Sequence, residues 1–210
     1  MGVMQRRREL MTLGGGLPGE YRRVEYLEST GTQYFYTDVN IQDGLTVESV
    51  QTFTKTDCYL FGGASTTDNL RSCFNGNYVG RIQGAYPTNY YNVNIGLVYG
   101  TPYTVKTTHS DGLITVYLNN VKVHEKQFSN TVPDTGRKSL CFGAIGASGT
   151  PLSNYLYKGK VYSLNVSKNN SVLANFIPCI RKSDNKPGMY DTVSKTFYTN
   201  AGTGEFIVPN

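Results

Sequence analysis

From Tyr21 onward the chain is a succession of short segments in which β-branched and aromatic residues recur between Gly, Asn, Asp or Pro. TQYFYTDV, LTVESVQTFT, CYLFGG, PYTVKTT, LITVYLNN, VKVHEKQF, SLCFGAIG, LYKGKVYSLNV and SVLANFIPC follow one another along the body. None carries a helix-length apolar stripe of period 3.6, so the pattern predicts strands throughout. Two turns can be placed directly. Ser110, Asp111 and Gly112 precede LITVYL as a tight-turn signal, and Asn119 and Asn120 suit the positive φ values of a two-residue hairpin loop. In LITVYL one alternate set is Leu113, Thr115 and Tyr117, and the other is Ile114, Val116 and Leu118. The second set is the expected core face. Strands of this number and spacing predict an all-β fold, a two-sheet antiparallel β-sandwich of jelly-roll form.

The ends read differently. MQRRRELM could make about two helical turns, but a segment that short is marginal in water unless it docks on something. Gly14, Gly15 and Gly16 then free the backbone. Residues 1–16 are therefore expected to form a basic arm and glycine hinge, and residues 17–210 one sandwich domain. At the other end KTFYTN and GEFIV read as two short strands joined through Ala201, Gly202, Thr203 and Gly204. Tyr190, Phe197 and Phe206 are expected in the core or on a strand face.

Composition supports one domain. A chain of 210 residues can bury a sizeable core, and its 17% of charged residues with 23 glycines fits a turn-rich β protein. The net charge of +5 is concentrated only at Arg6, Arg7 and Arg8 and is otherwise scattered, so no nucleic-acid groove is indicated. Cys58, Cys73, Cys141 and Cys179 form no CxxC pair and are expected as reduced, mostly buried thiols. The N-terminal stretch has no apolar run of a secretory signal, and no stretch approaches a membrane span, so the protein is expected to be made and kept soluble without membrane insertion.

Two regions resemble a known family. LPGEYRRVEYLESTGTQYF near the start and FIPCIRKSDNKPGMYDTVSKTFYTNAGTGEF at the end are similar to laminin-G-like or concanavalin-A-like jelly-roll domains in phage and prophage proteins of gut bacteria. The resemblance is most specific over residues 25–33, 176–179, 188–191 and 197–206. In the middle third only the strand pattern matches. One departure stands out: members of the family usually carry an Ile-Asp pair where this chain has Phe35 and Tyr36, so no role of that acid carries over. The resemblance implies a virion-associated or cell-surface-binding protein without enzymatic activity. On it rests the expected function, a virion structural or adhesion protein that binds host-surface glycans or takes part in particle assembly. The arm, through Arg6, Arg7 and Arg8, would dock on other virion proteins. The alternative is a free bacterial carbohydrate-binding module or lectin, with a glycoside hydrolase third. A secreted lectin would need an export signal, which the arm does not supply.

Chemistry along the chain is sparse. A glucanase of this fold needs two carboxylates set by an alternating acidic motif, and no E-x-D-x-x-E occurs. Glu25 and Glu28, three apart, fall on opposite strand faces and read as solvent-facing charges. His109, Ser110 and Asp111 are consecutive and cannot form a nucleophile-base-orienter line. No zinc spacing exists, and no cofactor is expected; calcium is the one metal left open, through Asp57, Asp68 and Asn69 near loop tips. The strongest binding candidate is YPTNYYN, read as a loop. Tyr86, Asn89, Tyr90, Tyr91 and Asn92 offer rings for sugar C–H faces and amides for sugar hydroxyls, and Arg81 could pair with an acidic sugar. Packing between subunits of a homo-oligomer or within the core would use the same rings.

Overall fold

The computed structural model describes residues 16–55, 58–63, 74–78, 81–86, 89–94, 97–127, 134, 136, 138–146 and 148–209. The arm, with Arg6, Arg7 and Arg8, lies outside them, as do Cys73, Asp57, Asp68 and Asn69.

In chain order the strands are β1 (Tyr21–Arg23), β2 (Leu27–Thr30), β3 (Phe35–Asn40), β4 (Leu45–Gln51), β5 (Tyr59–Gly62), β6 (Phe74–Tyr78), β7 (Arg81–Tyr86) and β8 (Asn89–Asn94). They continue with β9 (Tyr103–Ser110), β10 (Leu113–Leu118), β11 (Val121–Gln127), β12 (Lys138–Cys141), β13 (Lys158–Lys168), β14 (Ser171–Arg181), β15 (Pro187–Asp191) and β16 (Thr196–Thr199). A single 3-10 turn, Ser153–Tyr155, is the only helical element among the described residues. None is long and apolar enough to cross a membrane.

The strands form two antiparallel sheets. A ten-stranded sheet runs β11-β10-β9-β4-β13-β14-β15-β16, with β1 on β14 and β2 on β13, and a six-stranded sheet runs β3-β12-β5-β6-β7-β8. This is the expected jelly-roll sandwich. Its core is aromatic at one side: the Phe35 ring lies 5.2 Å from Tyr198, 5.7 Å from Phe176 and 6.0 Å from Phe142, and Phe142 lies 4.7 Å from Phe206. On β10, Ile114 and Val116 are buried as the alternation predicts, and Leu118 packs against the same cluster. Tyr157, fully buried, donates to Gln51 Oε1 at 2.7 Å and to the Thr52 carbonyl. Burial holds its phenol well above the usual range.

Both predicted turns form. Asp111 and Gly112 adopt φ of 50° and 78° between β9 and β10, and Asn119 and Asn120 adopt 49° and 71° between β10 and β11. Asn169 and Asn170, at 48° and 68°, build a third turn of the same kind between β13 and β14. The same Asn-Asn chemistry was there to be read.

The two chain ends are tied together. Gln33, 3% exposed, takes the Ser29 hydroxyl at 3.0 Å and the Thr30 N–H at 2.8 Å on its Oε1, and its Nε2 donates to the Glu205 carbonyl at 3.2 Å. Asn200 Oδ1 accepts from the Tyr34 and Gly202 N–H groups at 3.0 and 2.8 Å. Ala201 N–H donates to the Tyr34 carbonyl at 2.7 Å, and Glu28 and Ile207 exchange backbone bonds at 2.8 and 2.9 Å. GEFIV therefore does not pair with KTFYTN. Instead β16 pairs with β15, and Ile207 bridges to Glu28 of β2. Phe206 and Tyr190 are buried as expected, and Phe197 is half-buried under Tyr21.

No disulfide joins Cys58, Cys141 and Cys179, all buried. Burial pushes the Cys179 thiol up to about 12 and raises that of Cys141 well above its usual value. Low-pKa thiol chemistry has no place at either.

Two predictions follow from this packing. A Cβ at position 202 would sit 2.1 Å from the Thr32 carbonyl oxygen, so Gly202→Ala should cost about 3 kcal/mol in urea unfolding by prising the ends apart. The second concerns pH. His109 is fully buried opposite Ile114, and burial lowers its imidazole to about 4, opposed in part by Asp43. Its folded value lies below its unfolded value, so between about pH 6.5 and 4 the unfolded chain binds more protons and stability falls as pH falls. This group should remove about 3 kcal/mol between pH 7 and pH 4. Denaturant titrations at both pH values should show that His109→Leu loses correspondingly less.

Candidate functional site

The segment read as a loop is a hairpin. Tyr86 ends β7, Asn89 opens β8, and the two are paired, with the ladder continuing through Ala85↔Tyr90, Gly84↔Tyr91, Gln83↔Asn92 and Arg81↔Asn94. The side chains of the six candidates, Arg81, Tyr86, Asn89, Tyr90, Tyr91 and Asn92, lie outside what the structure describes. Pro87 and Thr88, at the tip, lie outside the described residues.

A cleft forms at the opposite edge of the same sheet. β3 and β8 are its two edge strands, separated by β12, β5, β6 and β7, or about 24 Å at the usual strand spacing. The cleft, of about 220 Å³, lies where β3 meets β14, β15 and β16 of the larger sheet. Val39, Leu173, Ala174, Phe176 and Tyr198 supply its apolar surface, and Asp38, Asn40, Gln42, Asp191 and Ser194 its polar walls.

Local structure explains each position. In DVNIQ (38–42) the apolar residues Val39 and Ile41 are buried, which turns Asp38, Asn40 and Gln42 to the other side. Tyr198 packs its ring on Phe35 and Phe176 and donates its hydroxyl to Asp38 Oδ2 at 3.2 Å. Burial raises the Tyr198 phenol above its usual value, so it remains a donor at neutral pH. Lys138 Nζ holds Asp38 from outside, 3.3 Å from Oδ1 and 3.1 Å from the Asp38 carbonyl. Lys168 likewise donates to Gln42 Oε1. Asn40 Oδ1 is buried and takes no hydrogen bond among the described residues.

The two carboxylates have different duties. Asp191, 2% exposed, accepts from the N–H groups of Asn175 (2.8 Å), Val193 (3.0 Å) and Ser194 (3.2 Å) and from the Ser194 hydroxyl (2.6 Å). Four donors leave it little capacity for a ligand or a proton-transfer role, and they fix the turn from β15 to β16 that carries Ser194. Asp38 is exposed and carries only its lysine and tyrosine partners among the described residues.

The remaining expectations divide as follows. Glu28 pairs with Lys160 at 3.9 Å, and His109 sits in the core while the Asp111 N–H caps onto the Asp43 carboxylate at 2.7 Å, so no triad forms. Among the described residues no three His, Cys, Asp or Glu side chains gather in a metal-binding group. Sequence reasoning passed over Asp38, Asn40, Gln42, Ser194 and Tyr198. The alternation in DVNIQ was legible, but nothing in it showed that β3 would be an edge strand facing β16.

No protein-family model and no curated protein sequence matches the chain. Among solved structures, a candidate carbohydrate-binding protein from Bacteroides ovatus is similar, with a TM-score of 0.62, 13% identity and 90% of this chain covered. This chain spans 60% of that protein's length. A heptameric SAP-like pentraxin from Limulus polyphemus is similar with a TM-score of 0.56 and 13% identity, over 92% of this chain and 96% of the pentraxin. At these identities the likeness establishes the jelly-roll fold.

Stability separates the two acids. Asp191→Ala strands four donors and should cost about 3 kcal/mol or more, whereas Asp38→Ala, at an exposed ion pair, should stay within about 1 kcal/mol of the parent. Thermal melts of both variants check this.

Proposed function

We propose that the chain is a non-enzymatic carbohydrate-binding β-sandwich module. The observation that carries this reading is the cleft between β3 and β16. It sets an apolar surface with a tyrosine ring beside a wall of amide and carboxylate side chains, and a sugar has both a C–H face and a rim of hydroxyls. Binding sites of this kind join apolar contact area to a few fixed polar groups. The commitment of Asp191 to four structural donors supports a binding role over a hydrolytic one, since glycoside cleavage needs two working carboxyl groups. The name of the Bacteroides ovatus protein is consistent with the same use of the fold.

Residues 17–210 would act as the binding body and residues 1–16 as a separate arm. A particle-borne form, with Arg6, Arg7 and Arg8 docking on acidic groups of a virion protein, is the second reading. It is favoured by the resemblance over residues 25–33 and 197–206. Either form fits a module that presents its cleft to a surface glycan.

A glycan array run on the full chain and on a chain beginning at Leu17 tests the reading. Both should bind the same glycans and melt at nearly the same temperature. No binding to any glycan by either chain would overturn the proposal, and lost cooperative unfolding of the shorter chain would make the arm part of the core.

A further inference from the structure

Resting on the carbohydrate reading, we infer that the site is longer than the cleft: Tyr36 and Asp38 form a second subsite along the outer row of β3, so the ligand is a chain of two or more sugar rings. The row follows from the burial of the strand. Phe35, Thr37 and Val39 are buried while Tyr36 and Asp38 are exposed, so Tyr36, Asp38 and Asn40 follow one another on the outer face of the smaller sheet. Asp38 and Asn40 line the cleft, and Tyr36 stands one step beyond its Asp38 end, about 7 Å away at the usual strand rise. That step is comparable with the length of one sugar residue. The cleft itself, at about 220 Å³, is smaller than the roughly 300–1,000 Å³ of sites for drug-sized molecules and has room for one ring. A longer glycan must continue outside it.

Tyr36 is suited to receive that continuation. It is 43% exposed, so its ring offers surface that a sugar C–H face can cover. The ring is also held: it meets Tyr34 edge to face, with centroids 5.8 Å apart and planes at 89°. Tyr34 in turn packs against the core and against Leu140, Ile145 and Leu156, and its backbone is bonded to Asn200 and Ala201. A ring fixed in this way loses little freedom when a ligand stacks on it. Asp38 joins the two parts of the site. Its side chain is 72% exposed, with the Tyr198 hydroxyl on Oδ2 and Lys138 beside Oδ1. A carboxylate has about four acceptor positions, so Asp38 can still take hydroxyls of a sugar lying across it.

Ladders of one, two and three sugar residues test this on the full chain, read by ligand-observed NMR and titration calorimetry. The probes are the glucose, galactose, mannose and xylose series, with stepwise truncations of any glycan that the array returns. In at least one ladder the disaccharide should bind about tenfold or more tighter than its monosaccharide. Tyr36→Ala should remove that gain while monosaccharide binding and the melting temperature stay as in the parent, since the ring is exposed and outside the cleft. Disaccharides no tighter than their monosaccharides in every ladder that binds overturn the inference, and so does a gain that survives Tyr36→Ala. A Tyr36→Ala chain that loses monosaccharide binding or melts lower makes Tyr36 a structural residue and overturns it as well. In each of these cases binding of some sugar leaves the carbohydrate reading standing. If no ladder and no arrayed glycan binds, both fall together.

Discussion

The joint between the two chain ends is the constraint on which the rest of this sandwich depends. Gln33 satisfies a turn of its own strand with one amide oxygen and reaches the C-terminal segment with its nitrogen, while Asn200 returns the arrangement from the other side. Side-chain amides suit this task because each offers an acceptor and two donors on one rigid plane. Gly202 permits the backbones to meet, since any Cβ there would collide with the Thr32 carbonyl. With the ends fixed, β2 and β16 have defined neighbours, and Phe206 can seat against Phe142 at the heart of the core.

That joint also explains the segments carrying the family resemblance. Residues 25–33 and 197–206 are the two halves of the joint, and Asp191, within residues 188–191, holds the turn that leads into β16. Their chemistry is structural in the first instance: satisfied amides, a capped turn and close backbone approach. The cleft is a consequence. Once β16 is anchored beside β3, Tyr198 can rest its ring on Phe35 while its hydroxyl reaches Asp38, and the edge of the smaller sheet gains a floor and a wall.

The sequence by itself determined the class of fold and much of its local geometry. Period-two alternation placed Ile114 and Val116 inside, and Asp-Gly and Asn-Asn pairs fixed hairpins because few residues accept positive φ. These are short-range properties, set by neighbours one to four positions away. Lateral order is a long-range property. Nothing in YPTNYYN says that it spans a hairpin in which Tyr86 of β7 pairs with Asn89 of β8, because a strand and an aromatic loop share their composition. Nothing in DVNIQ says that its polar residues will look across at Ser194 and Tyr198, more than 150 positions away. Only tertiary structure decided which edge strand met which, and therefore which polar and apolar side chains came together around a cavity.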